Sequence, residues 1–204
     1  MGQEKLLWAI DFDDVIIPTA EVLVPAYNER YGTSVQLEGY YGGADAWNAP
    51  TPKDVGVRIN ELLRDVEIVP TDETIEALSH LATMDELHIV TGRPSSLEEP
   101  THRMLKSHFP GVFTSVEFTN YSHSEASGLG TRSKGDVCNE IGADILVDDH
   151  IAHGTSVLDS GLEEVIVWGN YPWNRDQKLG RGMVRCIRWG EVLRERERIL
   201  AGRK

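Results

Sequence analysis

Residues 6–10, Leu-Leu-Trp-Ala-Ile, form a short apolar run that passes directly into Asp11-Phe12-Asp13-Asp14. A run of this length and composition reads as a buried strand. Ending such a strand in carboxylates does nothing for stability alone. Residues two apart on an extended chain point the same way, so Asp11 and Asp13 begin on one side of the strand end. Their mutual repulsion must be offset by a cation, a proton or hydrogen bonds. Taken singly, the pattern also fits a helix cap or a turn opening, where acidic residues are common.

The same layout recurs along the chain. Leu87-His88-Ile89-Val90 closes on Thr91 and then Gly92-Arg93-Pro94, and Ile145-Leu146-Val147 closes on Asp148-Asp149. Between these runs the sequence predicts helices. Ala20 to Tyr31 stops at Gly32, and Val55, Ile59, Leu62, Leu63 and Val66 form one helical face. Ile75, Leu78, Leu81 and Ala82 form another face, with Asp72 and Glu73 in its first turn. Ser96 with Glu99 reads as a capping box, and Ser133 as the cap of a helix ending at Gly142. Further strands are expected at 116–119, 165–168 and 184–187, a polar loop at 120–132, and a closing helix from Trp189 to Ala201. Strands alternating with helices imply an α/β fold with a mainly parallel sheet. In such sheets ligands bind beyond the carboxyl ends of the strands, where Asp11, Thr91 and Asp148-Asp149 would meet.

Strand and acid pair, strand and threonine, then Lys134 in Ser133-Lys134-Gly135-Asp136, then strand and acid pair: this order, from Asp11 to Asp149, resembles the four-motif signature of the haloacid dehalogenase superfamily. The resemblance implies a Rossmann-like core at 1–17 and 85–204, with a small helical cap inserted after the first motif at 18–84. It also implies a Mg²⁺-dependent phosphomonoester hydrolase. Asp11 would attack phosphorus and form an aspartyl-phosphate. Asp13 would act as general acid and base, which at neutral pH calls for a raised pKa. Mg²⁺ would take oxygens from Asp11, the Asp13 carbonyl and Asp149, with Asp148 assisting. Thr91, Gly92, Arg93 and Lys134 would bind the phosphoryl group, and Lys134 would also neutralise Asp11. Asp14 stands where glycine is frequent in the resembling sequences. The Thr-Gly-Arg and Asp-Asp variants, with the helical insertion, point to the soluble 5′-nucleotidases acting on nucleoside monophosphates. Base stacking is then assigned to the aromatics of 33–52, Tyr40, Tyr41 and above all Trp47. The bland reading of these three rings is a cap core.

Two rivals differ from this reading. A phospho-accepting receiver module places its Thr and Lys last, whereas here an acid pair follows the lysine. A dehalogenase on the same fold needs no metal, which would leave Asp13 and Asp149 without a purpose. A net charge of −13 argues against a nucleic-acid polymer or an anionic membrane surface as partner, and a small phosphorylated metabolite remains the expected one. No apolar run approaches the roughly 20 residues of a membrane-spanning helix. Cys138 and Cys186 read as core residues of a reducing compartment, hence a cytoplasmic expectation. The spacing of His150 and His153 suits a metal on a helix but more often marks a hydrogen-bonded couple. Oligomeric state has no signal, and Tyr171-Pro172-Trp173-Asn174 receives no chemistry.

Overall fold

The computed structural model describes residues 4–119 and 132–203, so the expected polar loop at 120–132 lies, except for Arg132, outside the described residues. Within them six strands form one parallel sheet: β1 (Leu7–Ile10), β2 (Glu86–Thr91), β3 (Ser115–Phe118), β4 (Ile145–Asp148), β5 (Glu164–Trp168) and β6 (Met183–Cys186). Their order is β3-β2-β1-β4-β5-β6. Leu7 pairs with Glu86 on one side of β1, and Trp8 pairs with Ile145 on the other. The chain therefore reverses its winding between β1 and β4, and the crevice at that switch point is where open α/β sheets take ligands. This order differs from the 2-1-3-4-5 order of flavodoxin-like receiver domains, and the receiver reading falls with it.

Alternation along the strands builds a core on each face of the sheet. Trp8, Ile10, Leu87, Ile89, Ile145, Val147, Ile166 and Trp168 join one cluster. Ala9, Val90, Leu146, Val165 and Val167 join the other, as the period of two requires. Helices cover both faces: α4 (Asp72–Leu81), α5 (Glu98–His108), α6 (Lys134–Ile141), α7 (Ile151–Asp159) and α8 (Trp189–Gly202). The Ser133 hydroxyl accepts the Asp136 amide while the Asp136 carboxylate takes the Ser133 amide, a reciprocal cap that fixes where α6 begins. The capping box expected at Ser96 and Glu99 is not formed. A 3₁₀ turn, Ser95–Leu97, already uses the Pro94 carbonyl for the Leu97 amide, and α5 starts behind it at Glu98.

After β1 come α1 (Thr19–Tyr31), a short α2 (Gly43–Ala46) and α3 (Pro52–Asp65). Gly32 ends α1 in the left-handed conformation, with φ of 62°. Leu23, Tyr27, Val35, Trp47, Val55 and Leu62 make a third, separate cluster. The stretch 18–84, expected as one insertion, divides in its packing. Leu78 and Leu81 of α4 lie in the sheet's cluster, and the Trp189 indole of α8 donates to Thr74 at 3.0 Å. Among the described residues no helix is long and apolar enough to cross a membrane.

Candidate active site

β1 delivers Asp11 to the switch point, where its amide donates to the Val147 carbonyl of β4 at 2.9 Å. The backbone turns at once: Asp14 adopts φ of 59°, in the left-handed region that glycine enters freely and aspartate tolerates. Asp14 then makes use of its side chain, for its carboxylate accepts the Ala20 amide at 2.8 Å and so satisfies the first turn of α1. The departure from glycine at this position thus has a structural role.

Lys134, on the first turn of α6, reaches both Asp11 and Asp148. Its Nζ lies 2.8 Å from Asp11 and 2.6 Å from Asp148, with all three side chains nearly inaccessible. Burial works against the ammonium, but the Asp11 and Asp148 charges outweigh it and raise the lysine pKa. Asp148 also accepts the His150 amide at 2.8 Å and approaches His153 Nδ1 at 3.1 Å. Burial would raise its pKa, yet Lys134 and then His153 hold it well below the usual carboxylate range. Asp11 goes the other way: burial lifts its pKa to about 6, with Lys134 offsetting part and Asp148 adding to it. Asp149 is buried beside these carboxylates, and burial followed by the Asp148 and Asp11 charges pushes it well above its ordinary value.

Thr91 ends β2 with no exposure, its hydroxyl accepting the Arg93 amide at 3.2 Å. Arg93 grips Asp13 with two donors at 2.8 Å each, gives a third to Thr101 at 2.9 Å, and stacks its guanidinium 4.4 Å from the Phe12 ring. This fork overturns the expectation of a raised Asp13 pKa. Burial does raise it, but Arg93 and the Thr19 hydroxyl outweigh burial and leave Asp13 below the ordinary value. Arg93, expected to meet substrate, is therefore committed to Asp13. Trp47 is corrected as well. It is 1% exposed inside the third cluster, its indole donating to the Tyr40 carbonyl at 2.8 Å, so its faces are taken by core packing.

The residues that sequence reasoning missed come from the segment left without chemistry. Trp173 donates its indole N–H to Asp149 at 2.6 Å. Asn174 braces the same turn, donating to the Asp149 and Trp168 carbonyls at 2.8 and 2.9 Å. Tyr171 stacks on Trp173 at 4.6 Å and donates to the Asp14 carbonyl at 2.8 Å. Tyr40 and Tyr41, carried on the loop between α1 and α2, both lie 5.3 Å from the Trp173 ring. Two aromatics within five residues after a strand were a visible signal, but nothing in sequence tied them to Asp149.

The donor set fits a hard divalent cation. The charges of Asp148, Asp11 and Asp14 act on Asp149, and a cation with oxygen preference relieves such repulsion. Asp11, Asp148 and His153 can also bring ligand atoms within 4.8 Å of one another. An imidazole suits a softer metal than magnesium, however, and His153 already serves Asp148.

No family model matches the sequence, and no curated protein matches it. Solved structures do. A haloacid dehalogenase-like hydrolase of Streptococcus pneumoniae superimposes with a TM-score of 0.68 at 12% identity, over 94% of this chain and 98% of that one. A predicted phosphoglycolate phosphatase of Haemophilus somnus gives 0.63 at 16%, over 96% and 99%. A HAD hydrolase of Bacillus subtilis, solved with magnesium bound, gives 0.61 at 12%, over 94% and 98%. The strand order and these superpositions together make this a chain with the fold of the haloacid dehalogenase-superfamily hydrolases.

Proposed function

We propose that the protein is a Mg²⁺-dependent phosphomonoester hydrolase working through an aspartyl-phosphate on Asp11. The observation that carries this reading is Lys134 held between Asp11 and Asp148 at the switch point of the sheet. An ammonium there screens the nucleophile and meets the charge of an incoming phosphoryl group. Thr91 places a hydroxyl at the end of the neighbouring strand for a phosphoryl oxygen. Asp11, Asp149 and the Asp13 carbonyl would hold Mg²⁺, with Asp148 behind them. When bound, the ion supplies charge neutralisation for the phosphoryl oxygens and the clustered carboxylates.

Asp11 attacks phosphorus, and the alcohol oxygen leaves with a proton. Asp13 gives that proton and later removes one from the attacking water. Its pairing with Arg93 favours the ionised form, which suits the second step. The first step needs a proton on Asp13, and the Arg93 fork opposes it. We assign the cap to the cluster around Tyr27 and Trp47, residues 18 to 66, and the leaving-group contact to Tyr41, which is 53% exposed. The Tyr41 ring lies 5.3 Å from that of Trp173, whose indole donates to Asp149, so it borders the acidic cluster. A flat leaving group can stack there, so nucleoside monophosphates are the favoured substrates, in a reducing, cytoplasmic setting that suits the free, buried cysteines.

Release of inorganic phosphate from nucleoside monophosphates and from a simple alkyl phosphate tests both levels. A kcat/KM roughly ten- to a hundredfold higher for the nucleotide is expected. Equal values remove the nucleotide reading, and no release from any monoester with Mg²⁺ present removes the phosphatase.

A further inference from the structure

The loop after β5 does more than lead into β6. Its Trp173 has two faces and one donor, and all three are used. The indole N–H goes to Asp149 Oδ2 at 2.6 Å, which is the only side-chain donor to that carboxylate among the described residues. One ring contact is with Tyr171, 4.6 Å away and parallel within 3°. Another is with Tyr40, 5.3 Å away and inclined by 28°. Tyr40 belongs to the inserted helical segment, where its carbonyl receives the Trp47 indole and its ring lies 5.6 Å from Trp47. Tyr171 is pinned to the other side of the crevice through the Asp14 carbonyl. The loop itself is braced by Asn174, which Arg185 of β6 grips from behind: its guanidinium donates to the Asn174 side-chain oxygen and carbonyl at 2.7 Å each.

An acid whose one donor is an indole is an oriented acid. The N–H holds Oδ2 in place. The indole cannot swing without breaking its stack with Tyr171 or with Tyr40. We propose that Trp173 is a positioning residue that orients Asp149 for a divalent cation, and that its stack with Tyr40 links the seating of the helical segment to that orientation. This rests on the metal reading above. It adds a residue outside the four motifs, and it makes metal affinity depend on a residue of the cap.

Calorimetric titration of Mg²⁺ into the protein, without substrate, tests this. Trp173→Phe keeps a ring for both stacks and removes only the donor. Its Kd for Mg²⁺ is expected to rise about tenfold or more, the usual consequence of losing a partner of a metal ligand, with a melting temperature close to wild type. Tyr40→Leu keeps the donor and removes the cap side of the stack, and it too is expected to raise Kd, by less. Wild-type binding with unchanged affinity in Trp173→Phe overturns the positioning role and leaves the metal reading intact. Weakened binding in Trp173→Phe but not in Tyr40→Leu overturns the link through the Tyr40 stack. A wild-type protein that takes up no Mg²⁺ at millimolar concentration overturns the metal reading, and this inference with it.

Discussion

Asp11 and Asp13 begin two residues apart on one strand end and are driven to opposite electrostatic states. Asp11 is lifted to about 6 by burial, while Asp13 is lowered because the Arg93 fork outweighs its burial. Asp11→Asn should abolish turnover, because an amide is a poor nucleophile, and no phospho-enzyme should accumulate in a rapid-quench experiment. Near-normal rates would remove the covalent mechanism. Arg93→Lys makes a finer test. A lysine cannot reproduce the planar two-donor grip, so Asp13 loses stabilisation of its charged form and its pKa rises. The alkaline limb of the kcat/KM profile, which reports the proton that Asp13 gives to the leaving oxygen, should then move to higher pH, whereas an unmoved limb would show that Asp13 does not set it.

At the scale of elements, α8 is tied to the sheet by a buried ion pair. Arg196 donates to Asp85 at 2.6 and 2.9 Å with both side chains essentially inaccessible, and Asp85 also accepts the Leu6 amide and the Trp8 indole. Arg196→Ala strands the carboxylate and should cost about 3–5 kcal/mol in denaturant unfolding. A loss below about 1 kcal/mol would show that Leu6 and Trp8 suffice. Gly154 lets α7 lie close on β5, since a methyl group there would meet Val165 at 2.9 Å. Gly154→Ala should therefore destabilise by about 1–3 kcal/mol. These elements were legible in the sequence wherever a period carried them: the apolar runs before Asp11, Thr91 and Asp148, and the faces of α3 and α4. Convergence of the three strand ends followed from parallel topology alone. The partners were not legible. That Arg93 turns to Asp13, Trp173 to Asp149 and Trp47 into the third cluster depends on where loops return in space, and loops carry no period. Ser96 and Glu99 had the spacing of a cap but lost to a 3₁₀ turn whose geometry sequence does not announce.

At the scale of the whole molecule, the crowded carboxylates set how stability follows pH. Asp11 has a folded pKa of about 6 against an ordinary 3.8, so the folded state binds its proton more tightly than the unfolded chain. Its burden on stability is full above pH 6 and is relieved as pH falls toward 4. Asp14 and Asp149, raised by burial, act in the same direction. Asp13 and Asp148, lowered, contribute stability that is lost only below about pH 4. Metal-free protein in chelator should therefore melt at a higher temperature at pH 5.5 than at pH 7.5, and Mg²⁺ should restore the loss at pH 7.5. A melting temperature that falls on this acidification would contradict the arrangement. The sheet order has a consequence of another kind, for the chain as it is made. β1 leaves the ribosome before either of its neighbours, yet it is a central strand: Leu7 must wait for Glu86 and Trp8 for Ile145. At roughly 5–20 residues per second the wait is on the order of 5 to 30 s. The cluster of Leu23, Tyr27, Trp47 and Leu62 needs no such partner and can gather while β1 is still bare. The nascent chain thus carries β1 with an unpaired, adhesive edge until translation has passed Ile145 to Val147.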